Sequence, residues 1–421
     1  MYDQSFNYVT LSRMLRKNDF YVKKWLRTPA LKEKELEYAL DRVSSGFTSY
    51  SFLSTTVIRR KNVYRIAKFC DELILRKIDT NLKKAYPLPV FSRDSIIASL
   101  KSLISESIQY KIYRLDISSF YESFHTHKVL EKIDSIKSLS PITKRFLKEI
   151  LEGFIDQGGK GLPRGLSISA TLSEIMMDQL DKRVLQLPGV FYYRRYVDDI
   201  IIITSGEEGT KQFIKSIGKF LPDGLYLNKK KENFCSSPDP KPFKASAAIP
   251  LNPVLLNFEY LGYRFTVFEA LASNNKKLRR QIYLDIAEAK TNKIKTRITR
   301  SLIDFCSNKD FSLLEMRIRF LTSNFSVLDV NKDSFRLAGI YHNYHRINFD
   351  ESVALKELDE YLHKAVLSSH GKIFNNFYCN STSSQRRRLL TFSFIRGFKE
   401  RTYTYYSSKQ FIKVQECWEY V

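Results

Sequence analysis

The chain has 421 residues, 43% of them hydrophobic, which is material for roughly two to three domains with cores of their own and too apolar for a disordered chain. Its 69 Lys and Arg against 45 Asp and Glu leave a formal net charge of +24, which points to a polyanionic partner, most simply nucleic acid and otherwise an anionic membrane surface. No apolar run long enough to span a bilayer and no signal peptide is visible, so no membrane partner is expected. Cys70, Cys235, Cys306, Cys379 and Cys417 are odd in number and lack CxxC spacing, which argues against a disulfide framework or a structural zinc and for the reduced thiols of a cytoplasmic protein.

Residues 1–50 read as mostly helical, with Leu11, Met14 and Leu15 and then Leu36, Ala39 and Leu40 at helical spacing, and carry no recognisable chemistry. The stretch 52–64 reads as strand-like and basic through Arg59, Arg60 and Lys61, either a phosphate contact or a solvated face. A helix follows over 66–84, stopped by Pro87 and Pro89, and Ser92 or Asp94 can cap the next one, 95–108. Residues 110–117 read as a strand that ends at a lone carboxylate, Asp116, before 118–124 turn into a short helix. A helical stretch over 130–154 leads to Gly158-Gly159-Lys160-Gly161-Leu162-Pro163-Arg164-Gly165 and a helix over 167–184 with Ser167 as its N-cap. A glycine loop at a helix start offers backbone N–H groups to an anion or a base pair, though this spacing is neither a P-loop nor a dinucleotide fingerprint.

The stretch Arg194-Arg195-Tyr196-Val197-Asp198-Asp199 runs into four isoleucines, Ile200 to Ile203, which read as a buried strand. With 192–196 as the preceding strand, Val197-Asp198-Asp199 becomes a hairpin turn carrying two carboxylates. Adjacent carboxylates at an apolar strand end repel each other and resist desolvation unless a cation joins them; the rival reading is an ordinary Asp-rich turn. Beyond it come a helix over 212–220, the run Lys229-Lys230-Lys231, an irregular connection marked by Pro238, Pro240, Pro242, Pro250 and Pro253, and an aromatic hairpin over 258–265. From about residue 269 long basic helices are expected at 276–305, 313–322, 335–343, 352–367 and 386–398; their charges read as a nucleic-acid surface or as solvated helix faces.

The order of these segments resembles the palm of reverse transcriptases, over about residues 61–265. Leu115-Asp116-Ile117-Ser118-Ser119-Phe120-Tyr121 looks like the family's first carboxylate motif. Gly161-Leu162-Pro163-Arg164-Gly165-Leu166-Ser167-Ile168-Ser169-Ala170 looks like its template–primer and nucleotide loop, and Tyr196-Val197-Asp198-Asp199 like its signature box. Leu227-Asn228-Lys229-Lys230-Lys231 resembles the next motif, and 258–265 the primer-grip hairpin around Tyr260, Leu261 and Gly262.

The resemblance implies an α+β fold, a right-hand polymerase fingers–palm with an antiparallel palm sheet followed by an all-helical C-terminal domain. The expected division is an N-terminal helical segment (1–55), fingers and palm (56–269) and a basic, thumb-like helical domain (270–421). It implies an RNA-directed DNA polymerase working by two-metal-ion nucleotidyl transfer with Mg²⁺, or Mn²⁺ in its place. Asp116 and Asp198 would bridge the ions, with Asp199 in support and the Ile117 carbonyl completing the shell. Lys231 matches the lysine that protonates leaving pyrophosphate, Tyr121 the residue beneath the sugar, Arg164 and Gly165 the nucleotide loop, and Arg93 a fingers contact to the triphosphate. Arg164 stands where many relatives have Gln, and Ala170 where intron and retron types often have Pro. The run Gly165 to Ile175 looks most like bacterial abortive-infection and defence-associated reverse transcriptases. That resemblance implies antiphage defence with RNA as noncoding partner or template, deoxynucleotide triphosphates as substrates, a DNA product, and room for a homo-oligomer. A retron or group II intron enzyme, and a catalytically silent nucleic-acid-binding scaffold, are the rival readings.

Overall fold

The computed structural model describes residues 2–47, 51–58, 61–238, 253–272, 278–329 and 334–419. Arg59, Arg60, Pro240, Pro242, Pro250, Lys276 and Lys277 lie outside the described residues. The chain forms two compact units, residues 1–96 with 109–238, and residues 97–108 with 239–421.

The first unit opens with helices α1 (Tyr8–Ser12), α2 (Lys17–Val22) and α3 (Pro29–Ser45), then a hairpin of β1 (Leu53–Ile58) and β2 (Lys61–Ile66), then α4 (Phe69–Ala85). Helix α5 (Arg93–Ile104) begins in this unit and ends in the other. Ser92 caps it, its hydroxyl accepting from the Ser95 N–H at 3.0 Å. Strand β3 (Tyr110–Asp116) follows. Helices α6 (Thr126–Ser135) and α7 (Pro141–Asp156) replace the one long helix expected over 130–154. Ser140 and Pro141 are the cause, because Ser140 caps the second helix and proline at its first turn forgoes an N–H that would be unpaired anyway. Helix α8 (Ser167–Leu185) starts at Ser167 as expected, but Leu166 holds the N-cap position, so Ser167 lies inside the helix and is not its cap. Strands β4 (Val190–Tyr196) and β5 (Asp199–Thr204), helix α9 (Thr210–Phe220) and β6 (Asn233–Ser237) complete the unit.

The four strands form one antiparallel sheet in the order β4-β5-β3-β6, so β3 is interior and carries Tyr113 and Leu115 into the core beside Ile200 and Ile202, with Ile117 just beyond its end also buried. All four isoleucines of β5 are buried, as a strand covered on both faces requires. This antiparallel sheet is the expected palm sheet.

In the second unit β7 (Val254–Tyr260), β8 (Tyr263–Ala272) and β9 (Leu278–Ile286) form an antiparallel sheet. The expected helix over 276–305 is corrected here: β9 occupies its first part and α10 (Glu288–Asn308) the rest. Ile282, Leu284 and Ile286 alternate into the core at the period of a strand, a pattern hidden by the neighbouring arginines. Arg280 is itself buried and donates to the carbonyls of Glu106 and Ile108.

The C-terminal region is helical as expected, with α11 (Phe311–Thr322), α12 (Ile340–Tyr344), α13 (Val353–Leu367), α14 (Lys372–Asn380), α15 (Ser383–Leu389), α16 (Phe394–Lys399) and α17 (Ser408–Gln415). It also holds a hairpin, β10 (Asn324–Asp329) with β11 (Ser334–Gly339), where a helix over 335–343 was expected. The stretch 386–398 is likewise two short helices, the second capped by Ser393. Among the described residues no helix is long and apolar enough to cross a membrane.

Candidate active site

Strand register delivers the carboxylates. β3 and β5 are paired so that Asp116 stands opposite Asp199, and the Ile117 N–H donates to the Asp198 carbonyl at 3.1 Å. On the other side of β5, Tyr196 pairs with Asp199, leaving Val197 and Asp198 as a two-residue turn. Val197 has φ of +60°. Positive φ at the first central residue is the pattern of a type II′ turn, which usually places glycine there. A β-branched residue in that conformation costs about 1–3 kcal/mol, so the surroundings must hold it.

Arg195 does so. Its side chain is 3% exposed and reaches Glu174 at 2.7 Å and Asp181 at 2.8 Å. A further N–H of the same guanidinium donates to the Val197 carbonyl at 3.0 Å. The Tyr193 hydroxyl donates to Asp181 as well. Sequence reading missed this brace. The signal was present: Glu174 and Asp181 are two helical turns apart on α8, and Tyr193 and Arg195 share one face of β4.

Asp116 is held from below. Its Oδ1 accepts from Lys231 Nζ at 2.7 Å and its Oδ2 from Asn228 Nδ2 at 3.0 Å, while its carbonyl accepts the Asn228 N–H at 2.7 Å. This settles which of three consecutive lysines faces the carboxylates. The Asp116 hydrogen bond raises the Lys231 pKa, burial works against it, and Asp198 and Asp199 add to the rise. The Asp199 carboxyl is pushed up by burial, opposed by Arg114 and reinforced by Asp198 and Asp116. The three carboxylates carry the negative charge and hard oxygens that a divalent cation takes, but their side chains do not converge as one ligand group. Lys231 already supplies one positive charge to Asp116, and among the described residues no three His, Cys, Asp or Glu side chains form a group able to hold a metal ion.

The segment after Asp116 is a series of turns and not the short helix expected over 118–124; Ser119 adopts φ of +45°, which ends any helical path. The glycine loop is clamped onto it. The Leu162 N–H donates to the Tyr121 carbonyl at 2.8 Å, and a Cβ on Gly161 would lie 2.2 Å from that same oxygen. On the loop's other side the Tyr64 N–H of β2 donates to the Arg164 carbonyl at 2.7 Å, and a Cβ on Gly165 would lie 2.5 Å from the Tyr64 oxygen. Both glycines are thus required by close backbone approach.

Arg164 pairs with Glu122 at 2.8 Å, and its guanidinium carbon lies 5.1 Å from the centre of the Tyr121 ring. Burial foremost pushes the Tyr121 hydroxyl up. Arg93 is the first residue of α5. Tyr260, Leu261 and Gly262 sit in the second unit at the β7–β8 turn, where Leu261 and Gly262 both have positive φ, as a type I′ turn demands.

Beside the β4–β5 hairpin, within the first unit, a cavity of about 650 Å³ is walled by Tyr86, Pro89, Phe91, Glu174, Arg195 and Val197. Arg194 closes over the Phe91 ring, its guanidinium carbon 4.1 Å from the ring centre.

Residues 60–265 match the family model described as reverse transcriptase (RNA-dependent DNA polymerase). No curated protein matches the chain. Among solved structures the chain is similar to apo telomerase from Candida tropicalis truncated from its C-terminal domain, at 16% identity and a TM-score of 0.29, covering 46% of this chain and 43% of that one. It is also similar to telomerase from Candida albicans in complex with the TWJ fragment of telomeric RNA (12% identity, TM-score 0.32, 82% of this chain and 53% of that one). The Candida tropicalis telomerase with the same kind of RNA fragment gives 13% identity, a TM-score of 0.34, and 83% and 56% coverage. The chain thus spans about half the length of these structures. The family match begins and ends within a residue of the stretch delimited by motif order, so residues 60–265 carry the match to a reverse transcriptase (RNA-dependent DNA polymerase) domain.

Proposed function

We propose that the chain is an RNA-directed DNA polymerase of bacterial antiphage defence, which takes deoxynucleotide triphosphates and a noncoding RNA as partner or template. The observation that carries the polymerase reading is the register of β3 with β5, which puts Asp116 opposite Asp199 at the hairpin turn that bears Asp198. The defence role rests on the resemblance of the run Gly165 to Ile175 alone.

In this reading Asp116 and Asp198, supported by Asp199 and the Ile117 carbonyl, would hold divalent ions, Mg²⁺ or Mn²⁺, which would supply activation of the primer hydroxyl and neutralisation of the triphosphate. The side chains do the rest. Lys231 stays protonated beside Asp116 and is placed to give its proton to departing pyrophosphate. Tyr121 forms the wall beneath the sugar, its ring steadied by Arg164, whose pairing with Glu122 makes it a support for that wall. Gly165 keeps the loop tight against β2. Arg93 is assigned to the triphosphate and the Tyr260-Leu261-Gly262 turn to the primer. The working compartment is the cytoplasm, and a homo-oligomer is compatible with all of this.

The test is sequencing of the RNA bound to the protein and of the DNA made in cells, with Asp198→Ala as control. A discrete DNA complementary to a bound RNA, absent from the variant, is the expected result. Bound RNA with no such DNA, or DNA made equally by the variant, overturns the polymerase reading. Bound intron or retron RNA overturns the defence assignment only.

A further inference from the structure

A second site lies in the first unit, among the N-terminal helices that carried no chemistry in the sequence. A cleft of about 590 Å³ is walled by Lys23, Trp25, Tyr38, Lys68 and Phe69. That volume is within the range of about 300–1,000 Å³ typical of small-ligand clefts. The aromatic rings are presented to solvent: Trp25 is 37% exposed and Tyr38 48%. Phe69 forms the floor, edge-on to Trp25 with ring centres 6.0 Å apart.

Cations are laid on these rings. Lys23 Nζ lies 5.1 Å from the Phe69 centre and Lys34 Nζ 5.8 Å from that of Tyr38. Next to the cleft Arg27 sits over Tyr21, itself 71% exposed, at 5.7 Å. Two carboxylates, Glu35 and Asp41, also line the cleft. Exposed aromatic faces bracketed by ammonium groups are the pattern that stacks a base and holds its phosphates. Carboxylates beside the rings accept the ring or exocyclic N–H groups of a base edge. In a duplex those faces and edges are already used, which excludes double-stranded partners from the cleft. The net charge of +24 gives the chain a long-range attraction for such a ligand.

We propose that this cleft takes an unpaired base of single-stranded RNA, with Trp25 and Tyr38 as the stacking faces and Lys23 and Lys68 on the flanking phosphates. The assignment rests on the reading that the chain works on RNA.

The test is equilibrium binding of the full chain to a short oligo(A) RNA by fluorescence anisotropy, with an oligo(A)–oligo(U) duplex in parallel. Trp25→Ala and Tyr38→Ala should each weaken oligo(A) binding about tenfold to a hundredfold and leave duplex binding unchanged. Tyr38→Phe should bind as the unmodified chain does. Oligo(A) should quench tryptophan emission, because Trp25 is accessible while the other tryptophan, Trp418, is buried. Unchanged oligo(A) binding by both alanine variants with unshifted melting overturns the site. So does an equal loss of duplex binding, or a quench that follows protein concentration without RNA, which would mark a second copy of the chain as the occupant. Primer extension by the unmodified chain on an RNA template is run alongside. Intact oligo(A) binding without extension sinks the polymerase reading and leaves the cleft; extension with unaltered binding by the variants sinks the cleft alone.

Discussion

In two of the arginine–carboxylate pairings of the first unit the carboxylates are satisfied to different degrees. Arg195 behind the β4–β5 hairpin has Glu174, Asp181 and the Val197 carbonyl within 3.0 Å. Arg42 of α3 has Asp71 of α4 at 3.2 Å, and Asp71 Oδ2 is buried with no hydrogen-bond partner among the described residues. Burial pushes the Asp71 carboxyl up to about 6 against the pull of Arg42. The difference teaches where this fold invests its polar contacts. At the hairpin they are complete, and they hold Val197 in its strained turn while Asp199 stays in register with Asp116. Between α3 and α4, Arg42 joins the two helices and also donates to the Gly46 carbonyl at 3.0 Å, and the deficit falls on Asp71 Oδ2.

The largest expected effect separates chemistry from support. Asp116→Asn keeps the Asn228 contact but removes the charge, so nucleotide incorporation should fall about a thousandfold or more while the melting temperature barely moves. A comparable fall in stability would mean that the carboxylates are part of the scaffold. Next is Arg195→Ala, which strands two carboxylates and frees the turn. We expect a loss of about 2–4 kcal/mol in chemical denaturation, below the range for wholly buried pairs because Glu174 and Asp181 are partly exposed. Arg195→Lys should recover part of it but not the fork to both acids.

Asp71→Asn probes the deficient pair. A carboxyl raised from 3.8 to about 6 on folding contributes stability at pH below about 4, and that contribution is lost as pH rises through about 6. The variant should therefore gain on the unmodified chain by about 2–3 kcal/mol between acid and neutral pH, read from parallel denaturation curves. Parallel curves with a constant offset would show that Asp71 is as well satisfied as Arg195's partners. The smallest effect is at Val197→Gly. Relief of positive φ and the entropic cost of glycine nearly cancel, so stability should stay level or rise by up to about 1 kcal/mol. A clear loss would mean that the valine side chain's packing outweighs the strain.

Much of the palm was legible because its signals are local. Ile200 to Ile203 could hardly be anything but a buried strand, and the paired aspartates before them mark the turn. The fold of 61–265 followed from motif order. What escaped was set by partners distant in sequence or by backbone angles that side chains do not advertise. Arg195 looked like one more basic residue until α8 presented Glu174 and Asp181 to it. Ser119 gave no sign of its positive φ. In β9 the basic pair Arg279 and Arg280 masks the alternation of Ile282, Leu284 and Ile286, and pairing with β8 overrides the local helical preference. Trp25, Tyr38 and Lys68 are spread over three elements, so only the packing of α3 and α4 brings them to one cleft.

The central claim is that Asp116 and Asp198 act together in copying RNA into DNA. Its most direct test is primer extension on a defined RNA template with purified protein, comparing the unmodified chain, the chain with its divalent ions chelated, and Asp198→Ala. Template-dependent deoxynucleotide incorporation by the first and none by the other two is the expected result. Incorporation that survives both chelation and the substitution would contradict it.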